Sequence, residues 1–140
     1  MMSTKEILLG EDNPGDILLL QEALQRLAES PCLTVVGDGI AALALLRRRA
    51  ALSPPQLPEL VLLDLNLPRM GGWEVLDHLR GDPVLRGQPV MILTGSKGDR
   101  RLIEAHGLPA ERYLVKPDSF QGFVEMVGRI TRFFAAEPPS

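Results

Sequence analysis

The sequence is poor in cysteine and has no long apolar run, and each of these deficits excludes a class of protein. Cys32 is its one cysteine, so no disulfide can form within the chain, and we expect a small core thiol in a reducing compartment. Polar residues at 3–6 stand where a signal peptide needs an apolar core, and no apolar run approaches membrane-spanning length. These features predict a cytoplasmic protein with no membrane partner.

An excess of one charge is missing as well. The 140 residues carry a formal net charge of -3, with acids and bases mixed along the chain. A basic patch that could bind nucleic acid phosphates is therefore not expected, and we predict no nucleic-acid partner. The run Arg47-Arg48-Arg49 falls at the carboxyl end of a predicted helix, where cations complement the helix dipole.

Short apolar runs alternate along the chain with segments of helical periodicity. The runs at 60–63 and 90–93 show no polar alternation, which predicts strands buried on both faces of a parallel sheet. Three further short runs, at 7–9, 33–36 and 113–115, are also predicted to be strands. Helices are predicted from residue 14 to near 29, at 40–49, at 73–80, at about 99–106 and at 120–134.

Five repeats of strand then helix require parallel strands, right-handed crossovers and helices on both faces of one sheet. We therefore predict an α/β fold with a doubly wound five-stranded parallel sheet in the order 2-1-3-4-5, as in flavodoxin-like proteins. A chain of this length fits one domain, so residues 1–140 are predicted to form a single domain with a core of about residues 5–135.

Polar side chains follow four of the predicted strands. Because parallel strands end at the same edge of a sheet, these side chains are expected to meet there, where open α/β sheets bind their ligands. The predicted strand order places the first strand beside the third, which brings three carboxylates together. The residues at this edge are Glu11 and Asp12 after the first strand, Asp64 after the third, Thr94 after the fourth and Lys116 after the fifth.

Three carboxylates this close would raise one another's pKa values unless a cation neutralised them. No cysteine or histidine lies at this edge, which disfavours zinc, whereas an oxygen-only site suits Mg²⁺. Asp12 and Asp64 would be direct ligands, with Glu11 acting through water. Mg²⁺ and Lys116 together balance the three carboxylates, so the site could accept the further charge of a phosphoryl group. A carboxylate nucleophile beside a metal ion indicates phosphoryl transfer onto Asp64.

This set of motifs resembles the receiver domain of bacterial two-component response regulators, and the similarity covers essentially the whole chain. The resemblance implies that Asp64 is the phosphoacceptor and that Lys116 pairs with the phosphoryl oxygens. The motifs that carry it are Glu11-Asp12 after the first strand, Asp64 followed by Pro68 and Gly72, Thr94 after the fourth strand, and Lys116-Pro117 after the fifth.

The resemblance also implies roles for the surrounding residues. The backbone carbonyl of Asn66 would help Asp12 and Asp64 to hold Mg²⁺. Thr94 would bond the phosphoryl group and swing inward on phosphorylation, and Tyr113, as the switch aromatic, would follow by turning toward the core. A cis peptide bond is implied at Lys116-Pro117, in a tight turn at the site.

Within this family, Asn13-Pro14-Gly15-Asp16 and the proline-rich loop before the third strand look like the small receivers that partner bacterial phytochrome kinases. The expected partner is therefore a sensor histidine kinase, with a bacteriophytochrome as the finer expectation. With no output domain expected, the signal would be read from the face of the fourth helix, fifth strand and fifth helix, where a homodimer would be isologous.

Two other functions are weighed against a phosphoacceptor switch. A phosphatase of the haloacid-dehalogenase type uses a similar site but needs a second Asp two residues after the nucleophile as general acid, and Asn66 stands there instead. A pseudo-receiver that docks without being phosphorylated would not need the intact acids and Lys116. We therefore expect no enzyme activity beyond the protein's own phosphorylation and dephosphorylation. His78 and His106 are expected to be ordinary surface or interface residues.

Overall fold

A computed structural model describes residues 5–95 and 100–136 of the protein. Its five strands form one parallel sheet in the order β2-β1-β3-β4-β5, which confirms the predicted topology. The strands are β1 (Glu6–Gly10), β2 (Cys32–Val36), β3 (Leu60–Asp64), β4 (Val90–Thr94) and β5 (Tyr113–Val115). The helices are α1 (Pro14–Gln25), α2 (Gly39–Ala50), α3 (Gly72–Arg80), α4 (Arg100–Ala105) and α5 (Phe120–Ala136).

The core lies on both faces of the sheet, because successive side chains of a strand point to opposite faces. All five residues of β3 and all five of β4 are buried, as their unbroken apolar runs predict. On one face Ile7 and Leu62 pack with α1 and α5, and on the other Leu8 and Leu63 pack with α2 and α3. With helices on both faces of a parallel sheet, ligands bind at the carboxyl edge of the strands.

Two helix ends differ from the predicted ones. The first helix was expected to reach residue 29, but α1 ends at Gln25, where hydrogen bonds from the Arg26 and Leu27 amides to carbonyls three residues back tighten the last turn. Helix α4 ends at Ala105, and His106 lies in the turn that follows it. Gly107 has φ +64°, and the Leu108 amide donates to the Ile103 carbonyl, so a left-handed glycine cap stops the helix.

The prediction of Cys32 as a core thiol is wrong. Cys32 is exposed, because it opens β2 and β2 is an edge strand with one sheet neighbour. The implied cis bond at Lys116-Pro117 is also not found, since among the described residues the cis peptide bond joins Ser53 and Pro54. The trans form is the lower-energy state of most X-Pro bonds. In the described part of the chain, no helix has the length and apolar character needed to cross a membrane.

The start of α2 packs tightly against the loop between β3 and α3. The Gly39 amide donates to the Pro68 carbonyl at 3.3 Å, and a Cβ atom at Gly39 would overlap the Met70 carbonyl oxygen. In the same loop Arg69 has φ 67°, a left-handed conformation that few non-glycine residues adopt. This loop directly follows Asp64, so its packing affects the position of that carboxylate.

Candidate functional site

Strand register brings the predicted acids together at the carboxyl edge of the sheet. Gly10 of β1 lies beside Leu63 of β3, so the next residues along, Glu11 and Asp64, are neighbours. Asp64 is held by its own loop, since its Oδ1 accepts the Asn66 amide at 2.8 Å. A Cβ atom at Gly72 would lie 2.8 Å from the Asp64 carbonyl oxygen, so a glycine lets α3 begin against the end of β3.

Among the described residues, Lys116 is the cation that contacts the acids of this edge. Its Nζ lies 2.6 Å from Asp64 Oδ2, 2.7 Å from Glu11 Oε2 and 3.0 Å from Asp16 Oδ2. Burial by itself would lower the pKa of Lys116, but the three carboxylates outweigh burial and raise that pKa above its ordinary value. Lys116 therefore stays charged, and one ammonium group is shared by three acids.

Glu11 is the most deeply buried acid of the site, with 2% of its surface exposed. Burial raises the pKa of Glu11 to about 7, against the lowering effect of Lys116 and with a further increase from Asp64. Crowding by Asp64 thus contributes to the raised pKa of Glu11, and burial is the larger cause. The Oε1 atom of Glu11 accepts the Asn13 amide at 3.1 Å, and its buried Oε2 lies 2.7 Å from Lys116 Nζ.

The arrangement fits a divalent cation. One carboxylate oxygen from each of Glu11, Asp12 and Asp64 lies within 4.8 Å of the other two. Glu11 and Asp64 are buried and Asp12 is exposed, so the cluster opens to solvent on the Asp12 side. Oxygen donors alone suit hard ions, and the Glu11, Asp12 and Asp64 carboxylates, with Lys116 contacting two of them, have lone pairs left for a further cation, direct or through water.

Thr94 and Tyr113 lie at different distances from this cluster. Thr94 ends β4, is buried, and its carbonyl accepts the Lys116 amide at 2.6 Å, so it borders the site. Tyr113 pairs with Ile92 on β4, two residues before the edge, and does not join the acids. The structure thus groups Glu11, Asp12, Asp64 and Lys116, with Thr94 beside them and Tyr113 set back.

Tyr113 belongs to an aromatic stack that the sequence did not reveal. Its ring lies nearly parallel to that of Trp73, with centroids 6.4 Å apart, and Trp73 stacks on His106 at 4.2 Å. Trp73 is thus a packing residue at the start of α3, and His106 is partly buried in the stack rather than on open surface. The Tyr113 hydroxyl and Trp73 Nε1 are buried and have no hydrogen-bond partner among the residues that the structure describes. No local pattern joins residues 73, 106 and 113, so only the fold brings them together.

Asp16 is the site residue that sequence reasoning missed. It lies in the first turn of α1, where an acid is favoured by the helix dipole, and that role was sufficient to explain it. The structure directs its carboxylate to Lys116, a residue one hundred positions further along the chain. The available signal was the run Asn13-Pro14-Gly15-Asp16, which starts α1 directly after Glu11 and Asp12, the acids that follow β1.

Comparison with known proteins agrees with this geometry. The family model described as the response regulator receiver domain matches residues 7–128. Response regulator Rcp1 of Synechocystis sp. is 36% identical over 130 residues, which cover 93% of this chain and 88% of Rcp1.

Two solved structures share the whole fold. The phosphorylated cyanobacterial phytochrome response regulator RcpA has a TM-score of 0.82 and 33% identity, with 98% of each chain covered. The Mn²⁺-bound form of response regulator Rcp1 has a TM-score of 0.78 and 33% identity, with 96% of this chain and 97% of Rcp1 covered.

Proposed function

The chain belongs to the response regulator receiver domain family, and on that premise we propose that Asp64 accepts a phosphoryl group from a sensor histidine kinase. The observation that carries the proposal is the position of Asp64, buried at the end of β3 with Lys116 Nζ 2.6 Å from its Oδ2. A carboxylate fixed beside one ammonium group and two further acids is arranged for phosphoryl chemistry. The family is one of phosphoacceptor signalling proteins, which is a role distinct from that of a classical enzyme.

In the proposed step, an oxygen of the Asp64 carboxylate attacks the phosphorus atom of a phosphohistidine on the kinase. The bond between phosphorus and the histidine nitrogen breaks, the nitrogen keeps the electron pair, and Asp64 becomes an aspartyl phosphate. Lys116 would pair with the phosphoryl oxygens, because its ammonium group already lies against Asp64 and Glu11.

We propose Mg²⁺ as the ion of the site, held by Asp12, Asp64 and the backbone carbonyl of Asn66, with Glu11 acting through water. Two buried acids and one exposed acid suit a small hard ion that keeps several waters. The Mn²⁺-bound form of the relative Rcp1 supports a divalent ion of this kind. When bound, Mg²⁺ would offset the carboxylate charge and the charge of the phosphoryl oxygens.

We propose that Thr94 and Tyr113 transmit the effect of Asp64 phosphorylation to the protein surface. Thr94 borders the acids and would bond the phosphoryl group, and Tyr113 would then turn inward. Within the described part of the chain the Tyr113 hydroxyl has no hydrogen-bond partner, so no hydrogen bond of that group would oppose the turn, which would break the stacking contact with Trp73. The signal would be read from the face of α4, β5 and α5 by a partner protein or a second copy, and Val115 of β5 is exposed on this edge strand.

A kinase of the phytochrome type is the finer proposal for the partner. Its support is the similarity to RcpA, a cyanobacterial phytochrome response regulator that matches this chain over 98% of its length. Histidine kinases are the partners of receiver domains in general. We place the exchange in the cytoplasm, in keeping with a free and exposed Cys32.

Incubation with acetyl phosphate and Mg²⁺, followed by intact mass measurement, tests this function. The wild-type protein should gain one phosphoryl group, and Asp64→Asn should gain none, because the amide lacks the nucleophilic oxygen charge. Asp118→Asn is the matched control, since it alters an exposed carboxyl outside the acid cluster and should be labelled like the wild type. Equal labelling of the wild type and Asp64→Asn would disprove the assignment.

The metal-free protein should become less stable as the pH rises, because the buried Glu11 carboxyl group then ionises. The pKa of Glu11 is about 7 in the folded protein, above its ordinary value of 4.5. The stabilising contribution of Glu11 is therefore complete below pH 4.5 and is lost as the pH rises through about 7. The loss should be about 3 kcal/mol, since one pKa unit corresponds to about 1.4 kcal/mol.

Mg²⁺ should oppose this loss, because its binding favours the ionised Glu11 carboxylate. We therefore expect Mg²⁺ to raise the Tm more at about pH 8 than at about pH 5, with Glu11→Gln flattening the pH dependence in calorimetry. An equal effect of Mg²⁺ at both pH values in the wild type would contradict this role of Glu11.

The phosphatase alternative is not favoured. The family match over residues 7–128 is to receiver domains, and the residue two positions after Asp64 is Asn66, whose amide side chain cannot supply a proton to a leaving group. Measured turnover of phosphomonoesters by the protein would support the phosphatase alternative instead.

A further inference from the structure

Asp16 contributes a carboxylate that the proposed phosphoryl transfer does not use. Its Oδ2 accepts a hydrogen bond from Lys116 Nζ at 3.0 Å, and the Asp16 side chain is 25% exposed while that of Lys116 is 14% exposed. The attraction between two charges this well shielded from solvent is stronger than in an ordinary surface pair. Asp16 therefore holds the same ammonium group that Asp64 needs.

The helix does not require the Asp16 carboxylate for capping. The N-cap of α1 is Asn13, whose Oδ1 accepts the Asp16 amide at 3.0 Å, and Pro14 at the first helical position has no amide to satisfy. With the start of α1 fixed by this cap, the Asp16 side chain faces Lys116. The contact left for the Asp16 carboxylate is therefore its ion pair with Lys116.

Phosphorylation of Asp64 would increase the negative charge that Lys116 must balance. A phosphoryl group on Asp64 would replace one carboxylate charge by nearly two charges and several acceptor oxygens. Glu11 and Asp16 would still compete for the one ammonium group, and the charge of Asp16 would also repel the phosphoryl group.

We propose that Asp16 is a positioning residue that draws the Lys116 ammonium toward α1 and thereby weakens its pairing with a phosphoryl group on Asp64. The inference rests on the proposed function and adds a second acid that regulates it. Removing this charge should leave Glu11 as the remaining competitor and let Lys116 pair more closely with the phosphoryl oxygens. Affinity for a phosphoryl mimic should then rise about three- to tenfold, the effect of one competing charge at a partly shielded site.

Beryllium fluoride with Mg²⁺ is the probe, because BeF₃⁻ binds a carboxylate oxygen in the shape of a phosphoryl group. Its bound fraction is measured by ¹⁹F NMR as a function of concentration. Asp16→Asn should bind the probe more tightly than the wild type, and Asp16→Glu, which restores a carboxylate, should return toward the wild-type affinity. Glu74→Gln is the control, since Glu74 is the exposed first-turn acid of α3 and its loss changes the net charge equally.

A second measurement needs neither the probe nor Mg²⁺. In the metal-free wild type, the Lys116 ammonium protons should exchange slowly enough for detection by ¹H–¹⁵N NMR, because three carboxylates hold them. The Asp16→Asn protein should show faster exchange. A helix-dipole role of Asp16 would instead lower the Tm as Glu74→Gln does and leave the Lys116 signal unchanged.

The outcomes separate the two proposals. Tighter probe binding in Asp16→Asn alone supports the role of Asp16. Equal affinities in the wild type and Asp16→Asn, or equal gains in Asp16→Asn and Glu74→Gln, would overturn that role and leave the phosphoacceptor site standing. A wild-type protein that binds no BeF₃⁻ would overturn the phosphoacceptor proposal and, with it, the role of Asp16.

Discussion

Lys116→Met should destabilise the metal-free protein by about 3–5 kcal/mol at a pH above 7, the usual cost of leaving buried charge without its partner. The substitution keeps much of the side-chain volume but removes the ammonium group that Glu11, Asp16 and Asp64 share. Two of these acids are buried and cannot be solvated in its place. Urea unfolding in the presence of a chelator measures the difference.

The same reasoning gives the controls for Lys116→Met. Arg48→Met removes a positive charge from an exposed position of α2 and should cost well under about 1 kcal/mol. Adding Asp64→Asn to Lys116→Met should recover part of the loss, because it removes one of the stranded charges. A cost for Lys116→Met no larger than that for Arg48→Met would show that the acids of this edge do not depend on the lysine.

Gly39→Ala should lower the free energy of unfolding by at least about 2 kcal/mol, in the upper range for overpacking of a dense interior. The added Cβ would overlap the Met70 carbonyl oxygen, and backbone can give way less easily than the end of a side chain. The displaced loop runs back to Asp64, so metal affinity should fall as well. Denaturant unfolding and a Mg²⁺ titration measure the two effects.

Gly37→Ala is the matched control for Gly39→Ala. Gly37 lies two residues earlier, and a Cβ there would meet no atom within 4 Å. Its replacement should be neutral or stabilise the protein by up to about 1 kcal/mol, through reduced freedom of the unfolded chain. If the two alanine variants were equally stable, the contact between α2 and the loop after Asp64 would not hold this part of the site.

The topology and the acid cluster were predictable because both follow from local patterns and one rule of connection. The unbroken runs of β3 and β4 identify buried strands, and alternation with helices requires them to be parallel. Strand order then places Glu11 beside Asp64 without any knowledge of side-chain positions. The site residues that are easiest to recognise from the sequence are therefore the polar residues that directly follow or end an apolar strand.

Long-range contacts and edge effects were not predictable in the same way. The run 13–16 places Asp16 close to the acids after β1, but Asp16 also has a sufficient local explanation as a first-turn acid, so the sequence does not single out its contact with Lys116. The stack of Trp73, His106 and Tyr113 joins α3, the turn after α4 and β5 through packing alone. Cys32 was different, because the predicted strand order already placed β2 at the edge of the sheet, and an edge strand leaves part of an apolar run exposed.

The central claim is that an acyl phosphate forms on one carboxylate, and reduction with borohydride after phosphorylation tests it most directly. Borohydride converts an aspartyl phosphate to homoserine but leaves phosphate esters of hydroxyl groups intact. Peptide mass mapping should find homoserine at position 64 of the wild-type chain and unaltered aspartate at position 12. Homoserine at another carboxylate, or a phosphoryl group that survives borohydride on a hydroxyl residue, would contradict the account.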